Sequence, residues 1–198
     1  KYIYMNREFF PAIKSRIYFE NSGGTQPPQQ VLDAFQNLIN NYSQPGAYTD
    51  QSIKISNIVK ESKSFIDLLI NNREGKIILS SSATQIATNI ANSIVFNKND
   101  EIVLANFSHE SAIGPFTRIE GIKYKFWNIS NTLDIDYGEL SSLINENTKL
   151  LVIPHVSNIL GNVYDINAVI KLVKSININT RIYVDGVAYL AHRLIDVN

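Results

Sequence analysis

Cysteine is absent from the 198 residues, which excludes disulfides, thiolate metal sites and a thiol nucleophile within them. An excess of charge of one sign is missing too. Eighteen basic residues balance eighteen acidic ones, and no run of Lys or Arg is long enough to track a phosphate backbone. Sequence-independent binding to nucleic acid or to an anionic membrane therefore has little to draw on, and a small molecule or a protein is the expected partner. No apolar run reaches membrane-spanning length and no signal peptide is evident, which makes the cytoplasm the expected location. Neither GxGxxG nor GxxxxGK[ST] occurs, which argues against dinucleotide and nucleoside-triphosphate sites. What remains is a chain 44% hydrophobic and 18% charged, enough for one buried domain of ordinary size.

Its rhythm changes along its length. Residues 1–27 read as an arm and turn, with a strand-like Ile17-Tyr18-Phe19 and the glycine pair Gly23-Gly24. Residues 28–75 read as a helical segment. Pro27 and Pro28 suit a first turn, Val31, Leu32, Phe35, Leu38 and Ile39 share one helical face, and a second periodic stretch runs from about Gln51 through Leu69. Residues 76–198 read as an α/β region. The continuous apolar runs 76–80, 101–105, 149–153 and 181–185 suit parallel strands covered on both faces, and the more alternating 122–127 suits an edge. Helical stretches at 84–96, 111–120, 136–145 and 165–176 fall between them. The fold class expected is α/β, a mostly parallel sheet with helices on both faces, in a single domain overall.

Ligands of such sheets sit at the carboxyl ends of the strands, so the residues after each run carry the functional reading. Ser80-Ser81-Ser82-Ala83-Thr84 enters a helix. Free N–H groups, the helix dipole and several hydroxyls there would make a phosphate cup, and simple N-capping explains the same residues. His109, one of three histidines, stands where a strand hands over to a helix and offers a flat ring. Asn158 lies in the polar run His155–Gly161, which also reads as a turn. Asp185 closes the last strand, where a carboxylate caps a helix, binds a ribose, ligates Mg²⁺ or pairs with a protonated ring nitrogen. Phosphate cup, stacking imidazole, asparagine and aspartate together are the parts needed to hold pyridoxal phosphate. No metal site is indicated.

The order YFENSGGTQ, SSSATQ, FSHES, HVSNILGNV and YVDGVAYLAHRLIDV resembles the cysteine desulfurase-like branch of the class V aminotransferase superfamily. The resemblance runs from about Ile17 to the end and implies the large domain of a fold type I pyridoxal phosphate enzyme, without its last strands and small domain. It places Thr84 on the phosphate, His109 stacked on the ring, Asn158 near the phenolic oxygen and Asp185 on the pyridine nitrogen. His109 is the one candidate for a catalytic part. Ala83 and Ala188 depart from the family pattern, where a hydroxyl and a glutamine are usual. The Schiff-base lysine is expected about 20 to 30 residues past Asp185, and so beyond Asn198. The resemblance further implies an amino-acid substrate and either a homodimer or association with the missing C-terminal part. Two other readings stand beside it: a truncated, non-catalytic relative that binds a ligand or partner, and a plain α/β binding domain.

Overall fold

The computed structural model describes residues 6–190 and 192–198; the first five residues of the arm and Ala191 of the closing motif lie outside these. The chain forms two compact units, one of residues up to Ile77 joined by Val197 and Asn198, the other Ile78–Asp196.

In the first unit, single turns of 3-10 helix at Arg7–Phe9 and Pro11–Ile13 precede two helices, α1 (Gln29–Asn40) and α2 (Asp50–Leu69). Thr49 caps α2 by accepting from the Ser52 N–H, and Ser52 in turn donates its hydroxyl to the Gln44 carbonyl, fixing the loop between the helices. Yet α1 buries none of its residues, and α2 buries only Ser52 and Ile55. The amphipathic pattern of Val31, Leu32, Phe35, Leu38 and Ile39 forms a helix as expected, but the face it defines is exposed. Against expectation, Ile17–Phe19 forms no strand, because no segment among the described residues pairs with it.

The second unit is built on a four-stranded parallel sheet in the order β2-β1-β3-β4, comprising β1 (Glu101–Ala105), β2 (Lys123–Trp127), β3 (Thr148–Pro154) and β4 (Arg181–Asp185). The expected edge position of residues 122–127 is observed. Between the strands run α3 (Ala83–Ser93, preceding β1), α4 (Glu110–Thr117), α5 (Tyr137–Leu143) and α6 (Ile166–Ile176), and the short α7 (Val187–Leu190) follows β4. Strand alternation divides the core into two clusters. Val103, Ala105, Leu151 and Ile153 face Leu140, Val169 and Val173 of α5 and α6, while Ile102, Leu104, Leu150 and Val152 face Ala91, Ala112 and Phe116 of α3 and α4. Both faces of the central strands are therefore covered, which is why 102–105 and 150–153 are apolar at every position.

One expectation fails here. Residues 76–80 join no ladder, and Ile78 and Leu79 are exposed, so the sheet has one strand fewer than the apolar runs suggested. A strand exists only through a neighbour that takes its backbone hydrogen bonds. Among the described residues, none is offered to this run.

Candidate functional site

The carboxyl edge of the sheet is braced by aromatic packing. Phe107, just past β1, meets the Trp127 ring edge-on at 5.4 Å and the Tyr164 ring at 4.9 Å. The Trp127 indole N–H donates to the Asp136 carbonyl at 3.0 Å. Loops leaving this edge thus start from fixed points.

His109 caps α4. Its Nδ1 accepts the Ser111 N–H at 3.1 Å and lies 2.7 Å from the Ser111 hydroxyl. Because a backbone N–H can only donate, Nδ1 is the acceptor, and the neutral ring carries its proton on Nε2. The cap orients the imidazole of a residue that is exposed. Beside it, the Ser108 hydroxyl is buried with no hydrogen-bond partner. A buried, unsatisfied hydroxyl is costly and marks a place where a polar group fits.

Asp185 ends β4 opposite Pro154, and its carbonyl accepts the His155 N–H at 2.8 Å. Its Oδ1 accepts the Val187 N–H at 3.0 Å, while Oδ2 has no partner among the described residues. Two residues earlier, Tyr183 packs on Phe116 in the cluster covered by α3 and α4, and strand alternation sends Asp185 toward the same side. Burial, and secondarily the Asp185 charge, push the Tyr183 phenol up. Asp185 is thus a half-buried carboxylate with one oxygen occupied and one free.

Asn158 stands in the turn of a small hairpin closed by the Val156–Val163 bridge. Ser157 holds that turn with its hydroxyl on the Leu160 N–H and its carbonyl on the Gly161 N–H, and Gly161 takes the left-handed φ of 74°. Thr84 is exposed in the first turn of α3, where Ser82 accepts the Gln85 N–H at 3.1 Å as the N-cap. Capping is therefore what the serine run does within this structure, and the Thr84 hydroxyl is unused.

Topology sets the four residues at one end of the sheet. His109, Asn158 and Asp185 follow the adjacent strands β1, β3 and β4 at their carboxyl edge. Helix α3 leads back to the start of β1, so its first turn, with Thr84, lies toward that edge as well. None of the four hydrogen-bonds to another. Sequence reasoning missed two neighbours, His155 and Tyr189, whose rings stack at 3.6 Å with planes only 6° apart. His155 stood inside a quoted motif, but a contact across 34 positions has no spacing signal.

Chemically, this edge offers free N–H groups and hydroxyls at the start of an 11-residue helix, an orientable flat ring, and a carboxylate with a free oxygen. That donor set fits an anionic group attached to an aromatic ring bearing a basic nitrogen. Lysine is the missing type. Lys125 bonds Glu101 at 2.5 Å, Lys149 pairs with Asp100, and Lys174 donates to the Ile178 and Thr180 carbonyls, all directed to the amino edge of the sheet. Among the described residues no group of three or more His, Asp or Glu is placed to hold a metal, and no helix is long and apolar enough to cross a membrane.

The family profile described as aminotransferase class-V matches residues 17–198. The chain belongs to that family. Among similar class V relatives, an aminotransferase-like protein of Gibberella zeae is 33% identical over 96% of this chain and 50% of its own length. A probable cysteine desulfurase of Ureaplasma parvum is 30% identical, again over 96% and 50%. The fold agrees with a cysteine desulfurase of Thermococcus onnurineus at a TM-score of 0.83 and 20% identity, covering 96% of this chain and 49% of that one. It agrees equally with a C-DES variant solved with glycine covalently linked to its PLP cofactor, at 0.84 and 20%, over 97% and 52%. This class V chain spans about half the length of the curated relatives it matches.

Proposed function

We propose that this chain carries the cofactor-holding half of a pyridoxal phosphate-dependent enzyme acting on an amino acid, desulfurase-like or aminotransferase-like. The observation that carries the reading is Asp185, a half-buried carboxylate at the end of β4 with Oδ2 free beside an Oδ1 already satisfied. When bound, the cofactor supplies an electron sink for a carbanion at the substrate's α-carbon. Asp185 would hold the proton on the ring nitrogen, and its fixed Oδ1 keeps the free oxygen aimed. His109, oriented by Ser111, would cover the ring with its face. Thr84 and the first N–H groups of α3 would hold the phosphate, with the helix dipole favouring the negative charge. Asn158 would contact the substituent side from its hairpin. The domain boundaries proposed are an arm to residue 27, a helical segment 28–75 and the cofactor-binding region 76–198.

The Schiff-base lysine is assigned outside residues 1–198, because the six lysines of the α/β unit lie in the loop before β1, on β2, at the start of β3 and on α6. A cytoplasmic homodimer is the proposed setting. A second reading, a non-catalytic ligand- or partner-binding relative, is favoured by Ala188, which puts a methyl group where a cofactor contact is usual in the family.

Borohydride reduction of the gene-encoded protein after addition of pyridoxal phosphate, followed by peptide mass mapping, separates these. Label on a lysine outside residues 1–198 is expected. Specific label on a lysine within them, or none at all, contradicts the proposal.

A further inference from the structure

We infer that His155 and Tyr189 form a stacked clamp that positions the Asp185 carboxylate, making both of them positioning residues. The inference rests on the reading of Asp185 given above, and it starts from a weakness in the local structure. Past Asp185 the chain leaves the sheet through Gly186 and enters α7, which has only four residues. A helix that short does not sustain itself, since nucleation costs more than so few hydrogen bonds return. Yet the Val187 N–H that occupies Asp185 Oδ1 belongs to its first residue. The direction of the free Oδ2 therefore depends on whatever holds α7 in place.

Contacts of three kinds do so, backbone hydrogen bonds first, including those from the His192 and Arg193 N–H groups to the Tyr189 carbonyl. The Tyr189 and Leu190 N–H groups both return to the Gly186 carbonyl at 3.0 Å. The Ile195 side chain lies against Gly186, close enough that a Cβ there would meet its Cδ1 at 3.3 Å. The third is the stack, which ties α7 to the residue that follows β3. His155 is the first residue after β3, its N–H is bonded to the Asp185 carbonyl, and its own carbonyl takes the Tyr164 N–H. One residue thus grips Asp185 from the backbone side and, through its ring on Tyr189, steadies the N–H that grips the carboxylate. Burial holds the His155 pKa below its ordinary value and so favours the uncharged ring. Among the described residues, no hydrogen bond competes for that ring.

The test uses Tyr189→Leu, which keeps apolar bulk without a stacking face, and Tyr189→Phe, which restores the face. Amide hydrogen exchange in the cofactor-free protein reads the clamp directly. Tyr189→Leu is expected to speed exchange at Val187 about tenfold, as losing one aromatic stack implies, with Leu151 and Val152 in β3 unchanged and Tyr189→Phe close to the parent. Affinity for pyridoxal phosphate should follow the same order. Unchanged Val187 exchange in Tyr189→Leu, or equal acceleration in both variants, overturns the clamp. Asp185→Asn tests the underlying reading separately: undiminished cofactor affinity there removes the role of Asp185 while leaving the exchange result intact.

Discussion

Phe35 and Trp127 are both large aromatic residues at positions that their patterns mark as inward, yet Trp127 is 0% exposed and Phe35 is 61% exposed. The contrast extends to their units. In the α/β unit, both faces of the central strands β1 and β3 meet helices from the same unit, and the core closes around them. In the helical unit, α1 carries a full apolar face and buries none of it. An apolar pattern therefore specifies a helix and its inward face, but not the surface that covers that face. The α/β unit draws its stability from its own packing, and the helical unit has little of its own to lose.

Truncation gives the largest separation. Trp127→Ala should destabilise the α/β unit by about 3–5 kcal/mol, whereas Phe35→Ala should change stability by no more than about 0.5 kcal/mol. Denaturant unfolding of the two variants measures both, and comparable losses would break the contrast. A smaller separation comes from ion pairs. Lys125→Ala leaves the mostly buried Glu101 with Asn145 as its remaining side-chain partner and should cost about 1–3 kcal/mol, while Lys14→Ala, opposite Glu8 at 3.8 Å and well exposed, should cost less than about 0.5 kcal/mol.

Acid supplies the finest distinction. Lys125 holds the Glu101 carboxyl below its ordinary 4.5, so its contribution is present above that pH and is lost as pH falls through the folded value. Burial holds His155 below its ordinary 6.5. The unfolded chain then takes up the proton first, and stability declines as pH drops below 6.5 toward the folded value. The α/β unit should weaken in two stages on acidification. His155→Phe should remove the first stage and Glu101→Gln the second, as read from denaturation midpoints against pH; a single stage insensitive to both substitutions would contradict these assignments.

Much of the α/β unit is legible in the sequence, because a strand buried on both faces must be apolar throughout. The runs ending at Ala105, Ile153 and Asp185 announce β1, β3 and β4, and with them the edge that carries His109, Asn158 and Asp185. The run 76–80 has the same composition and forms no strand, since composition records suitability for pairing and not the presence of a partner. Likewise Ser82 announces a helix start, and its hydroxyl goes to the Gln85 N–H. The His155–Tyr189 stack and the indole bond from Trp127 to Asp136 join residues whose separation follows no period. Such contacts are products of topology, visible only after the strands are placed.

The counter-ion role of Asp185 is open to one direct measurement: the ¹⁵N NMR shift of the ring nitrogen of labelled pyridoxal phosphate bound to the gene-encoded protein. The expected signal lies in the range of a protonated pyridine for the parent and moves to the unprotonated range in Asp185→Asn. An unprotonated ring nitrogen in the parent, or the same signal in both proteins, would contradict it.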